Sequence, residues 1–119
     1  MNEMDQRRQI ELFAEDIYKI MSRMTPIFEI IRFAAKTEIE IAEMYQNILS
    51  NRVQGLMAFV RSLRGHGTLR EGITAEIAGE TIWTLTSADV ITLLIDHRGW
   101  SAERYKSWLA DMLTRFLLP

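Results

Sequence analysis

Arg52 is the polar residue of this sequence whose position points most directly to chemistry. It falls at the centre of an apolar stripe with helical spacing, which consists of Ile41, Tyr45, Ile48, Leu56 and Phe59. A guanidinium keeps its proton in proteins, so a buried one needs an anion or several hydrogen-bond acceptors. Three interpretations stay open: an internal salt bridge, a side chain that reaches solvent at the rim, and an anchor for an acidic or carbonyl-bearing ligand. The candidate salt-bridge partners are Glu15, Asp16, Glu80 and Asp89.

Other residue types that support catalysis or metal binding are missing or poorly spaced. The absence of cysteine excludes disulfides, thiol catalysis and thiolate metal sites. His66 and His97 have no second ligand at i+3 or i+4. The serines and threonines have no histidine base near them in sequence, and there is no glycine-rich phosphate loop. We therefore expect no enzyme activity, no metal and no other cofactor; a small helical enzyme is the weakest of three hypotheses.

Length and charge limit the class of protein further. The 119 residues correspond to one domain, and the net charge of −2 lacks the cationic surplus of a duplex-binding domain. The amino-terminal residues mix both charges without an apolar segment, so no signal peptide is expected. No apolar run approaches the roughly 18 residues that span a bilayer. The predictions are a cytoplasmic protein with no membrane contact and no direct nucleic-acid contact.

The apolar spacing predicts helices throughout. Ile10 to Met24 follow a 3–4 periodicity, and Thr25-Pro26 is expected to end this helix and begin a short one over residues 26–36. A third helix is predicted over about 38–64, with the glycines of "GHG" at 65–67 as its left-handed stop. The fold class is all-α, with the helices arranged as an antiparallel bundle.

Cap residues divide the second half of the chain. Thr74 is expected to cap a helix over residues 75–85, and Ser87 marks either a kink or a restart of that helix. Gly99 is the next candidate stop, and Ser101 is the cap of a last helix over 102–118.

The last two long helices carry unusually wide apolar faces. In the final helix the apolar residues cover about half of the helix circumference. A helix that packs against a single core needs an apolar face of only about 100°. Gly79 and Trp83 lie opposite the main stripe of the helix over 75–85. A second copy of the chain is the simplest cover for this excess, although a compact single bundle that buries the whole stripe is the alternative. The predicted homodimer interface consists of Gly79, Trp83, Val90, Trp108, Leu109, Met112, Leu113, Phe116 and Leu117.

Residues 78–118 resemble the end of the C-terminal domain of TetR-family (tetracycline-repressor-like) transcriptional regulators. The similarity rests on Trp83, Leu85-Thr86-Ser87, Gly99-Trp100-Ser101, Tyr105 and Trp108-Leu109 in this order. Residues 23–35 and 51–80 are also similar to that domain. The resemblance implies a helical domain that binds a small-molecule effector and dimerises through its last two long helices in a four-helix bundle.

The resemblance covers residues 10–118 but leaves no room for the family's helix-turn-helix head. We therefore expect a single effector-binding and dimerisation domain over 1–119 that does not itself contact DNA. It is either part of a longer regulator or a headless relative. An effector would act by shifting the population of subunit arrangements.

Adaptable methionines and aromatic rings favour an apolar cavity between residues 10–24, 38–64 and 75–85. Its occupant would be a small apolar or amphipathic effector. Plain core packing is the alternative for each of these side chains, and a dimerisation module without a ligand is the alternative function. The predicted effector site consists of Phe13, Ile17, Met21, Met24, Phe28, Tyr45, Leu49, Arg52, Leu56 and Trp83.

Overall fold

The computed structural model describes residues 5–119 as a bundle of α-helices. The elements in chain order are α1 (Gln6–Ala35), α2 (Ile39–Gly65), α3 (Ala75–Leu85), α4 (Ala88–Ile91), a π-helical turn (Thr92–His97) and α5 (Ala102–Leu117). Helix α1 packs against both α2 and α5, and α2 packs against α3. No strand occurs in these residues, which confirms the all-α prediction.

Helix α1 runs without a break through Pro26, so the predicted boundary at Thr25-Pro26 is wrong. The ring of Pro26 lies on the exposed side, while Met21 and Phe28 are buried on either side of it. The Thr25 hydroxyl donates to the Met21 carbonyl at 2.7 Å. An interior proline costs a helix about 3 kcal/mol. Burial of apolar side chains both before and after the proline offsets this cost, and the two predicted helices are therefore one.

Three of the predicted amino-terminal caps are confirmed. The hydroxyls of Thr74, Ser87 and Ser101 each accept a hydrogen bond from the backbone N–H three residues later, at 3.1, 3.2 and 3.1 Å. Gly99 follows the π-helical turn with a φ of 71°, as a left-handed stop requires. A kink and a new helix were the two predictions for residues 86–87. The structure shows a new helix, α4, with Ser87 as its cap.

Helix α2 ends where predicted, at Gly65, but by a different mechanism. Neither Gly65 nor Gly67 has a positive φ. The end is covered instead by the side-chain amide of Gln6, which donates to the carbonyls of Leu63 and Thr68, each at 3.1 Å. A Cβ atom at Gly67 would lie 2.6 Å from the Gln6 side-chain oxygen. Glycine at 67 therefore serves close approach rather than backbone freedom.

The core lies where α1, α2, α3 and α5 meet. Helix α5 contributes Tyr105, Leu109, Leu113 and Leu117, none of which retains accessible surface. These residues pack with Ile10, Val60, Leu63, Ala78 and Ile82. Most of the wide apolar stripe of α5 is thus buried within one chain. We expected a second copy of the chain to cover the whole stripe. This expectation is wrong for Leu109, Leu113 and Leu117, which the same chain buries.

Candidate functional site

An apolar groove of about 680 Å³ lies between α1 and α2. Arg52 is the single charged residue among its described lining residues. The stacked rings of Phe13 and Phe59, with centroids 4.2 Å apart, stand at one end. The described lining residues are Phe13, Ile17, Ile20, Met21, Met24, Phe28, Ile31, Ile48, Asn51, Arg52, Gly55, Leu56 and Phe59.

A second hollow of about 300 Å³ adjoins the groove and lies between α2, α3 and α4. Phe28 and Arg52 line both spaces, which therefore adjoin at Arg52 and are together called the branched cleft. Tyr45, Leu49 and Trp83 line the second hollow together with polar residues of α3 and α4, which include the carboxylate of Asp89 that pairs with Arg32. All ten residues of the predicted effector site therefore face one space or the other. Ligand binding there stays a prediction.

The guanidinium of Arg52 is held by Thr86, at the junction of α3 and α4. Its Nη2 donates to the Thr86 hydroxyl oxygen at 2.8 Å and to the Thr86 carbonyl at 3.4 Å. Thr86 is fully buried, and its own hydroxyl donates to the Ile82 carbonyl at 2.7 Å. Sequence reasoning missed this partner because an ordinary helix-end threonine gives no local sign that it faces a cation 34 residues away.

The interpretation of Arg52 as part of an internal salt bridge is wrong for residues 5–119. Glu15 pairs with Lys106 at 2.8 Å, and Asp89 pairs with Arg32. Neither Asp16 nor Glu80 forms an ion pair with Arg52 either. Burial lowers the pKa of Arg52 from its usual value, and the neighbouring Tyr105 opposes this shift. A guanidinium nevertheless stays charged in proteins. The cleft therefore contains a half-buried cation without a carboxylate partner among the described residues.

Gly79 and Trp83, both predicted at the dimer interface, pack against α2 of the same chain. A Cβ atom on Gly79 would lie 2.3 Å from the Met57 sulfur. The indole Nε1 of Trp83 donates to the Leu49 carbonyl at 3.1 Å. The small residue and the large ring do permit close approach of another helix, as expected, but that helix is α2. As a correction, the buried Gly79 offers no surface to a partner.

The remaining predicted interface residues fall into two groups. Leu109, Leu113 and Leu117 are buried in the core and do not reach the surface, which corrects their assignment. Val90, Trp108, Met112 and Phe116 keep accessible surface, and Met112 is 39% exposed.

The two half-buried rings of α5 have intrachain partners. Trp108 meets the ring of Trp100 edge to face at 5.8 Å. The guanidinium of Arg70 lies over Phe116, 5.3 Å from the ring centroid. Met112 therefore offers the clearest probe of a partner on α5.

Tyr105 connects α5 to the same junction as Arg52. Its hydroxyl donates to the Leu85 carbonyl at 2.8 Å, one residue before Thr86. Burial raises the pKa of Tyr105, so the phenol stays neutral as a donor. A tyrosine within an apolar α5 stripe was the only sequence signal for this contact.

The described part of the chain has neither a metal-binding cluster nor a helix that could span a bilayer. Residues 5–119 contain no cluster of three or more metal-binding side chains of the His, Cys, Asp or Glu type. None of the helices over this range combines the length and apolarity required to cross a bilayer.

Comparison of the chain with protein-family models, with curated proteins and with solved structures gives no match.

Proposed function

We propose that the chain is a regulatory domain of the tetracycline-repressor type that takes up a small amphipathic effector in the branched cleft. The single observation that carries this proposal is the guanidinium of Arg52, which lies at the branch of an apolar cleft without a carboxylate partner among the described residues. Small-molecule sites are typically apolar clefts with a few polar groups that fix orientation. The resemblance of residues 78–118 to regulators of this type agrees with the proposal.

The chemistry of the cleft selects a ligand with an apolar body and one oxygen-bearing group. A guanidinium has five N–H donors, and the two on Nη2 suffice for the contacts with Thr86. The other three N–H groups are available to a carboxylate or carbonyl oxygen of the effector. Because hydrogen bonds to an ionised acceptor are roughly twice as strong as neutral ones, an anion is the favoured partner.

The response would pass through the α3–α4 junction. An anion bound to the other N–H groups of Arg52 would reorient the guanidinium against Thr86, one residue from the Leu85 carbonyl that accepts the hydrogen bond of Tyr105 from α5. Two arrangements of the junction, bound differently by the effector, would shift in population on binding. A homodimer through the accessible residues Trp108, Met112 and Phe116 would pass that shift to the partner subunit.

A dimerisation or interaction module without a ligand is the second candidate. The observation that favours it is exposed apolar surface near the end of α1 and at the beginning of α2. Ile30, Phe33 and Ile39 there are 70%, 75% and 77% exposed. Such surface often marks contact with another macromolecule.

Binding of anilinonaphthalene sulfonate, a fluorescent apolar anion, tests the effector site. The wild-type chain should bind it with saturable fluorescence, and Arg52→Met should weaken binding at least tenfold. Arg61→Met is the matched control, because Arg61 is an exposed arginine on α2 outside the cleft. Equal affinities of the wild type and Arg52→Met would refute the site.

Equilibrium sedimentation tests the dimer separately. A dimer at micromolar concentration is expected, and a monomer at that concentration would contradict the proposed subunit contact. Saturable, Arg52-dependent probe binding separates the regulatory domain from the ligand-free interaction module.

A further inference from the structure

Gly55 lies in the middle of α2, and no neighbouring residue requires a glycine at this position. A Cβ atom there would meet no atom within 4 Å, and the φ angle of Gly55 is not positive. Glycine in a helix interior costs about 1 kcal/mol relative to alanine. Neither backbone conformation nor close packing therefore explains this residue. Its effect is to leave open space in the wall of the groove, one turn from Arg52.

This open space continues from Arg52 to the Phe13–Phe59 pair. Phe59 follows Arg52 by seven residues, which corresponds to about 10 Å along the helix. Gly55 lies between them on the groove side of α2, and Leu56 and Ile17 line the same space. The geometry is a channel with a cation at one end and two stacked aromatic rings at the other.

The charge distribution along the groove favours a ligand with one anionic group. Arg52 is the single cation among the described lining residues, and Asn51 is the one neutral amide. A second anionic group along the channel would lie among apolar side chains without a partner, which is strongly unfavourable.

We infer that the channel over Gly55 takes the alkyl chain of a linear aliphatic monocarboxylate, with the carboxylate on Arg52 and the methyl end toward Phe13 and Phe59. The inference deepens the proposed function and rests on it, since it names the class of effector for the same cleft. It also accounts for the glycine, because any side chain at position 55 would occupy the path of the alkyl chain.

Calorimetric titration with unbranched carboxylates of increasing length tests the channel. Each added methylene should strengthen binding by up to about fourfold, the value for full burial of one CH₂ group. The increase should stop once the chain is long enough to reach the Phe13–Phe59 pair, about 10 Å from Arg52. Arg52→Met should reduce carboxylate affinity to that of the primary alcohol of equal length.

Gly55→Leu tests the path of the chain. A leucine there should abolish the gain per methylene and weaken binding of the longest carboxylates at least tenfold, with little change for the shortest ones. Gln54→Leu is the matched control, because it adds the same side chain at the neighbouring exposed position outside the groove. Circular dichroism should show equal helix content in both variants, because the space around the Gly55 Cβ is open.

The outcomes separate the inference from the proposed function. A length dependence that is unchanged in Gly55→Leu would overturn the channel. Arg52-dependent binding of anilinonaphthalene sulfonate, together with carboxylate affinities that do not rise with length, would overturn the inference and leave the proposed function intact. Failure of every anionic probe would overturn both. Binding of an amphipathic helical peptide in a Gly55-dependent manner, with no carboxylate binding, would replace the ligand by a protein partner and overturn the inference.

Discussion

The guanidinium of Arg52 on α2 donates to the buried hydroxyl of Thr86, 2.8 Å away at the junction of α3 and α4. One residue earlier, the Leu85 carbonyl accepts the hydrogen bond of Tyr105 from α5. Two consecutive residues thus connect the candidate effector cleft to the C-terminal helix. A ligand on Arg52 would act directly on its bond to Thr86, and the bond of Tyr105 lies one residue from that contact.

Thr86→Val should lower the free energy of unfolding by about 2 kcal/mol, because hydrogen bonds to charged groups contribute about 1.5–3 kcal/mol. Valine keeps the shape of threonine but removes the hydroxyl that accepts from Arg52, and it leaves the longer contact with the Thr86 carbonyl. Urea denaturation measures the change. Thr84→Val is the control, since Thr84 is exposed and its hydroxyl donates only to the Glu80 carbonyl. It should change stability by less than about 0.5 kcal/mol.

The double variant Arg52→Met with Thr86→Val should lose less stability than the two single changes together. Replacement of both partners removes the half-buried charge as well as its acceptor. A coupling energy of about 1 kcal/mol or more in the double-mutant cycle is expected. Strict additivity would show that the two side chains do not act as a pair.

The stability of the fold should fall at high pH because of Tyr105. Its pKa is raised in the folded chain by burial, whereas the unfolded phenol has a pKa of about 10. Below that pH the contribution is complete. Above it, the unfolded state releases a proton that the folded state retains, so the free energy of unfolding should fall by about 1.4 kcal/mol per pH unit.

Tyr105→Phe should flatten this high-pH loss relative to the wild type. It should also cost about 1 kcal/mol at neutral pH through the lost bond to the Leu85 carbonyl. Tyr45→Phe, which removes a half-exposed phenol, serves as the control. Parallel wild-type and Tyr105→Phe profiles above pH 10 would argue against a buried neutral phenol.

Gly79→Ala should destabilise the chain by up to about 2 kcal/mol, because the usual cost of about 1–3 kcal/mol for inserting a group into a packed core is partly offset by the gain of about 1 kcal/mol in helix propensity. The new methyl carbon would lie 2.3 Å from the Met57 sulfur unless that side chain moves. Gly55→Ala is the opposite case, since its Cβ meets open space, and it should raise stability by about 1 kcal/mol. Thermal denaturation should move the two midpoints in opposite directions.

Leu113 and Met112 are adjacent on α5, but their replacement by alanine should change stability by different amounts. Leu113→Ala removes a fully buried side chain and should cost about 3 kcal/mol at any protein concentration. Met112→Ala should cost less than about 1 kcal/mol in the monomer, because the side chain is 39% exposed. If the proposed dimer uses this surface, sedimentation should show weaker association for Met112→Ala. An unchanged dissociation constant would remove Met112 from the interface.

Local signals in the sequence predicted most of the helices correctly. The caps at Thr74, Ser87 and Ser101 depend on hydrogen bonds within three residues, which the local sequence determines. Pro26 is the exception. Its local penalty argues for a break, but burial of Met21 and Phe28 on both sides keeps the helix continuous.

The sequence by itself determined the all-α fold, the apolar stripes and about half of the side chains that line the cleft, since helical periodicity decides which residues share a face. Tertiary structure alone decided that Arg52 meets Thr86 rather than a carboxylate, that Gly79 faces Met57, and that Leu109, Leu113 and Leu117 are covered by the same chain. Periodicity shows that a face must be buried, but not against which element. That choice depends on how helices distant in sequence pack together.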